Sequence, residues 1–226
     1  MLTELSRYFK VLPSSGNLPR MSSEQIKTRL AEDGPSHWYN RIDVVPGENI
    51  FTQPFHIPFD GDAFFTFLGI GPDTLRGKRV LDIGAFDGAV SFFAEDRGAE
   101  VVAIDIQSPS TNGFSVVHEC RRSSVIHVTC SIYDLHPTAF GKFDLVVCSG
   151  VHYHLRHPLL AFERINSVMK TGATLLVVGT TGDYWLHTKE NSMEGFVPPD
   201  EMAKIPLCGF YRDKYMGDRS NWFIPN

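Results

Sequence analysis

Two carboxylates and two glycines at fixed spacing are the residues in this chain best suited to hold a ligand. Asp82-Ile-Gly84-Ala85-Phe86-Asp-Gly88 reads D-x-G-x-x-x-G, and a further acid, Asp105, closes the next apolar run. Glycine at positions 84 and 88 lets the backbone turn sharply at a strand end and approach a ligand closely. A dinucleotide site needs G-x-G-x-x-G, so that a pyrophosphate rests on bare amides at a helix N-terminus. Phe86 and Ala89 occupy the second and third of those glycine positions, which disfavours a nicotinamide oxidoreductase. Asp105 can accept hydrogen bonds from both hydroxyls of a ribose, and Asp82 can meet a cationic amino-acid group through water or loop amides. Ala85, Phe86 and Ile106 stand beside them as further cofactor-binding candidates. The ligand that fits carries an amino acid, a ribose and no phosphate.

A second constellation is Ser149-Gly-Val-His-Tyr-His-Leu-Arg-His-Pro158. A histidine in a cleft has an unperturbed pKa near ~6.5, suited to deprotonating a hydroxyl or amine. Tyr153, His154 and His152 are therefore the catalytic candidates, a buried structural role being equally open for each histidine. Zinc would need three ligands converging with a fixed second shell of hydrogen bonds. These rings are too adjacent on an irregular turn for that, and no metal is expected. Ser149 and Gly150, at the strand exit, are cofactor-binding candidates, as are Ser131 and Ile132, whose hydroxyl and amide can bond an adenine edge. Asp134 is free to cap the turn before Leu135-His-Pro137.

The elements that must position these groups alternate strand and helix. Arg79 to Ile83 and Val101 to Ile104 read as strands, with a helix from Ala89 to Arg97 whose Val90, Phe93 and Ala94 are spaced for one buried face. A helix from Gly113 to Arg122, strands from Val125 to Cys130, Phe143 to Ser149 and Ala173 to Gly179, and a helix from Pro158 to Met169 continue the pattern. Nearly unbroken apolar strands imply a parallel sheet buried on both faces, with ligands beyond its carboxyl edge. Upstream, Leu2 to Leu12 reads as a short helix and Ser22-Ser-Glu-Gln25 as a capping box opening a second, which Gly34-Pro35 stops. His37-Trp38-Tyr39 reads as a lid over the site or as a pin holding the extension to the core. Residues 40–59 form a strap punctuated by proline and glycine, Asp62 to Leu68 an aromatic-rich helix, and Gly71 to Lys78 a turn. No clean strand hairpin is legible after Thr181. The expected organisation is an N-terminal helical extension and strap at residues 1–60 and a ligand-binding α/β domain at residues 61–226.

With 226 residues, 42% of them hydrophobic, the chain can bury one sizeable core. No stretch reaches the ~18 apolar residues of a membrane span, and no membrane partner is expected. A net charge of −5 and a pI near 6.0 offer no global attraction to nucleic acid. Cys120, Cys130, Cys148 and Cys208 lie far apart, as reduced thiols of a cytoplasmic protein do. Oligomeric state has no sequence signature here.

The Asp82 to Asp105 segment resembles motif I and the acidic loop of class I S-adenosylmethionine-dependent methyltransferases. That resemblance implies S-adenosylmethionine as cofactor and a Rossmann-like α/β sheet with helices on both faces. More narrowly, Gly150-VHYHLRHP-Leu159, with Trp38-YNRIDVVP-Gly47 upstream and Arg219-SNWFIP-Asn226 at the end, is similar to the tRNA wobble-uridine 5-oxyacetate methyltransferase group. Members using a carboxylated donor hold its extra carboxylate with a tyrosine, which Tyr153 matches, a lysine and a late arginine. No lysine stands between Asn40 and Phe65, so plain methyl donation is expected. In that group a helix and strand entry follow the N-x-x-F-I-P segment, so the C-terminal strands are expected to be incomplete. The acidic balance and short chain favour a small-molecule acceptor for O- or N-methylation. A modified tRNA uridine is the alternative, and a cofactor-binding module with little activity is the rival of another class.

Overall fold

The structure, a computed structural model, describes residues 2–36, 38–53, 59–67, 69–180, 186–187, 195–196, 208–210 and 217–225. It divides into two compact units: Met1–Val147 with Arg164–Leu176, and Cys148–Glu163 with Val177–Asn226.

In chain order the elements are α1 (Leu2–Tyr8), β1 (Lys10–Leu12), α2 (Ser23–Asp33), β2 (Asp43–Val45), β3 (Ile50–Phe51), α3 (Gly61–Phe67), β4 (Arg79–Ile83) and α4 (Ala89–Asp96). They continue as β5 (Glu100–Asp105), α5 (Phe114–Arg121), β6 (Ile126–Thr129), α6 (Pro137–Phe140), β7 (Phe143–Ser149), α7 (Pro158–Ser167) and β8 (Met169–Val178). Last come the short strands β9 (Leu186–His187), β10 (Gly195–Phe196), β11 (Cys208–Phe210) and β12 (Phe223–Pro225).

The first unit is organised on a six-stranded sheet of order β1-β6-β5-β4-β7-β8. β4 runs parallel to β5 and β5 to β6, with Asp82 opposite Ala103 and Asp105 opposite Thr129. Alternate strand residues go to opposite faces. Val80, Val101, Ala103, Leu145 and Val147 join a core cluster with Phe92 and Phe114, while Leu81, Val102, Ile104 and Val146 are equally buried outside it. Both faces are covered, which is why these strands read as unbroken apolar runs. The strand order reverses at β4, and the end of β4 is where such sheets bind ligands.

Four expectations are corrected. The first helix stops at Tyr8, and Lys10–Leu12 instead pairs antiparallel with β6, Val11 opposite Val128. The open ladder edge of β6 offers three residues backbone partners that outweigh their weak helix propensity. The buried face of α4 is Ala89, Ser91, Phe92 and Ala94, with Phe93 only half-buried and stacked on Phe65 at 5.2 Å. Gly88 enters this helix at φ 91° and, having no Cβ, leaves room for Phe92 to pack on Phe114 with ring centroids 5.0 Å apart. β8 starts at Met169, well before Ala173, since α7 ends at Ser167. Beyond Val178 two antiparallel pairs form, β9 with β10 and β11 with β12, outside the six-stranded sheet. Strands of two or three residues are too short to leave a period in sequence.

The capping box is present as read, Ser22 accepting from the Gln25 amide at 3.2 Å and Gln25 from the Ser22 amide at 2.8 Å. The strap holds the β2–β3 hairpin, tied by Thr52, whose hydroxyl donates to Asn40 O and accepts from Ile42 N. Trp38 is buried against Gly34 and Gly113, where a Cβ would lie 2.7 and 2.4 Å from its ring, so it pins the extension to the core. Tyr39 is exposed, and His37 and residues 54–58 lie outside the described residues.

In the second unit, Gly150 donates from its amide to Val178 O at 2.8 Å and His152–His154 forms a single 3-10 turn. The β12 segment is held to that turn: Trp222 N donates to Tyr153 O at 2.7 Å, and the Arg156 guanidinium lies 4.1 Å over the Trp222 ring. Thus the G-V-H-Y-H and N-W-F-I-P segments, far apart in sequence, meet in space.

Candidate functional site

The turn after β4 is built to be tight. Gly84 N and Ala85 N both donate to Ile104 O, at 2.9 and 3.1 Å, and Gly84, Phe86 and Gly88 all have positive φ, of 72°, 49° and 91°. At Gly88 a Cβ would meet Phe92 at 2.4 Å and Phe114 at 2.9 Å, so only glycine fits. Ala85 is buried and Phe86 exposed, edge-on to Tyr39 at 5.5 Å.

Asp105 organises this edge. One of its oxygens accepts from Phe86 N at 3.0 Å, the other from Gln107 N at 2.8 Å. Each carboxylate oxygen has two lone pairs, so two amides fix the group in place while leaving acceptor capacity for a vicinal diol. Ile106, the next residue, is 74% exposed and presents an apolar surface. Cys130 N donates to Asp105 O at 2.9 Å, bringing the following turn to the same edge. There Ser131 caps the 3-10 turn Ile132–Asp134, accepting from Tyr133 N while Asp134 accepts from Ser131 N at 3.0 Å. Asp134 is thus the cap it was read to be, Ile132 is buried, and the Ser131 hydroxyl keeps its proton to donate.

Asp82 lies under the turn rather than on it. It is buried, and the Ser91 hydroxyl donates to it at 2.6 Å. Burial pushes its carboxyl up to about 7, opposed by the Ser91 bond and reinforced by the charge of Asp105. Sequence reasoning missed its neighbour Asp87, which is fully buried and accepts from Asn40 N at 2.7 Å and Asn40 Nδ2 at 2.8 Å. This clasp ties the strap to the glycine turn. Its only sequence signal was an acid inside the turn and an asparagine after the aromatic pair.

The second unit holds the remaining candidates. Ser149 and Gly150 are half-buried, Gly150 at φ 71°. His152 is buried, its ring edge-on to Tyr153 at 5.3 Å, and burial lowers its pKa. Tyr153 and His154 are half-buried, with ring centroids 4.2 Å apart. His154 Nδ1 faces Ser220, a partner not foreseen from sequence.

A family model described as a methyltransferase domain matches residues 62–205, well over half of the chain. This chain belongs to that methyltransferase family. Over 153 residues the chain is 28% identical to the tRNA U34 carboxymethyltransferase of Desulforapulum autotrophicum, covering 67% of this chain and 41% of the relative. Over 104 residues it is 34% identical to the ubiquinone biosynthesis O-methyltransferase of Xanthomonas campestris pv. campestris, covering 46% of this chain and 43% of the relative. The N-terminal domain of EvdMO1, solved in the presence of SAH and D-fucose, shares the fold with a TM-score of 0.56 at 18% identity, covering 91% of this chain and 81% of that one. The chain spans about half the length of the curated relatives it matches. Its sheet is the expected Rossmann-like class I methyltransferase sheet.

Proposed function

We propose that this methyltransferase uses S-adenosylmethionine to methylate a small-molecule acceptor at oxygen or nitrogen. The observation that carries the cofactor reading is Asp105: a carboxylate at the end of β5, pinned by two amides and still able to accept from a ribose diol. Ile106, Ser131 and Ile132 would border the adenine, and the backbone of Gly84, Ala85, Phe86 and Gly88 the methionyl chain. Asp82 would act through its charge on the ammonium, since Ser91 already occupies part of its carboxylate. Ser149 and Gly150 complete the cofactor set, while Tyr153, His154 and His152 serve the acceptor. When bound, the cofactor supplies a methyl group on a sulfonium already activated for in-line displacement, so positioning carries most of the rate. The acidic balance of the chain supports a small acceptor.

A second reading, a tRNA wobble uridine as acceptor, is favoured by one observation. Two of the three segments shared with the wobble-uridine group are held together by the Trp222–Tyr153 hydrogen bond, and the Desulforapulum relative carries that activity in its name. Calorimetry should show binding of S-adenosylhomocysteine and none of NAD, and the reverse result sinks the cofactor reading. Incubation with methyl-labelled S-adenosylmethionine and a cell extract, followed by separation of bulk tRNA from small solutes, decides the acceptor. Label in the small-solute fraction is expected, and label confined to tRNA selects the second reading.

A further inference from the structure

His154 ends the 3-10 turn, with Nδ1 3.1 Å from the Ser220 carbonyl oxygen and 2.9 Å from the Ser220 hydroxyl oxygen. A carbonyl only accepts. The hydroxyl has one proton, and Asp218 Oδ1 claims it at 2.6 Å while also accepting from Ser220 N at 2.7 Å. Those two bonds hold the Asp218 carboxyl below its ordinary range, so it is ionised at neutral pH. Toward His154 the hydroxyl therefore shows a lone pair. Both atoms facing Nδ1 are acceptors, and the neutral ring satisfies them only with its proton on Nδ1 and the lone pair on Nε2.

We propose that Asp218 and Ser220 are positioning residues that hold His154 as the Nδ1–H tautomer, leaving Nε2 to take the acceptor's proton during methyl transfer. The proposal rests on reading this turn as the acceptor side. In the assigned step the acceptor's lone pair forms the bond to the methyl carbon. The carbon–sulfur bond breaks with its electron pair on sulfur, and the proton leaves the acceptor for Nε2. The geometry separates the three sequence candidates: His152 is buried against Phe223, with ring centroids 6.4 Å apart, and its imidazole is kept neutral by burial. Tyr153 packs on the His154 ring and is anchored through its carbonyl to Trp222. The titratable groups around His154 are Tyr153, His152 and Asp218, with Arg156 and Arg219 next to them in the chain. Of these, Asp218 acts on Nδ1 through Ser220.

The test uses the full chain, labelled with nitrogen-15, and long-range proton–nitrogen correlation of the histidine rings, with His154 assigned by its loss in His154→Gln. The neutral His154 ring is expected as Nδ1–H in the wild type, displaced toward Nε2–H in Ser220→Ala and restored in Ser220→Thr. Asp218→Ala, with circular dichroism unchanged, leaves the Ser220 hydroxyl proton free to turn toward Nδ1 and should likewise displace the neutral ring toward Nε2–H. With an acceptor in hand, Ser220→Ala should lower kcat roughly tenfold or more, leave KM for the donor unchanged and displace the acid limb of the pH profile. An Nε2–H ring in the wild type overturns the proposal. So does a tautomer switch in Ser220→Ala with kcat and its pH profile intact, which would make the array a structural anchor of the C-terminal segment. The ring spectrum needs no ligand, so it stands apart from the calorimetric test of the cofactor reading.

Discussion

At the scale of single residues, Asp105 anchors two amides and is proposed to hold a ribose with the same carboxylate, and both roles can be measured. Asp105→Ala removes the anchor of Phe86 N and Gln107 N as well as the proposed ribose contact. Charge-assisted hydrogen bonds contribute about 1.5 to 3 kcal/mol, so the affinity for S-adenosylhomocysteine should fall roughly ten- to a hundredfold by calorimetry. An unchanged dissociation constant would move the ribose elsewhere. Two buried groups set opposite pH slopes on stability. Burial raises Asp82 from 3.8 to about 7, so the folded state binds the proton more tightly, and the stability this contributes is full below pH ~4 and lost as pH rises through 7. Burial lowers His127 from 6.5 to about 4, with neither ring nitrogen partnered among the described residues. Its contribution, at most ~3 kcal/mol, is full above pH ~6.5 and lost as pH falls through 4. Between pH 4 and 6.5 the two slopes oppose each other. His127→Phe should therefore make Tm fall with rising pH in that window, and Asp82→Asn should make it rise more steeply. If Asp82 faces the cofactor's ammonium, affinity should also climb with pH through 7 and lose that climb in Asp82→Asn.

At the scale of elements, the glycine turn and the helix behind it are one unit. Gly88 sets the entry of α4 at φ 91° and sits where a Cβ would overlap Phe92 and Phe114. Gly88→Ala incurs left-handed strain of roughly 1 to 2 kcal/mol and overpacking of roughly 1 to 3 kcal/mol. Gly172, at φ 77° with nothing within 4 Å of its would-be Cβ, is the control. Its alanine variant should lose only the conformational part, so thermal melts should place Gly88→Ala well below Gly172→Ala. Equal melting temperatures would mean that the ring pair yields at no cost. The strap belongs to the same assembly, because Asn40 satisfies the buried Asp87 carboxylate and the Trp38 ring fills the space at Gly34 and Gly113. The aromatic cluster read from sequence thus splits into a pin at Trp38 and an exposed Tyr39 resting on Phe86.

At the scale of the whole molecule, charge bears on the acceptor. A net charge of −5 supplies no counterion-release drive toward a phosphate backbone. Labelled bulk tRNA should therefore bind no tighter than about 1 μM in ~0.15 M salt by fluorescence anisotropy, in the range of non-specific association. Tighter binding that weakens steeply with salt would point to a local basic surface and to the wobble-uridine reading. β4, α4, β5 and β7 were legible in the sequence almost to the residue, because a buried parallel strand must be apolar throughout and a glycine turn must carry its glycines in place. Asp82 and Asp105, the acids proposed for the cofactor, could be placed for the same reason, since β4 carries the first and β5 ends on the second. What the chain could not show by itself rests on contacts between distant segments. β1 is a strand only because β6 has an open edge, and Phe92 rather than Phe93 faces the core because Phe114 and the missing Cβ of Gly88 give its ring a place to pack. Asp87 is tolerable in the interior only because Asn40 reaches it, and the tautomer of His154 is set by a serine and an aspartate 66 and 64 positions away, which no local pattern encodes. Local periodicity records which face is buried, whereas the pairing of polar groups is decided only when the tertiary fold brings donor and acceptor within reach.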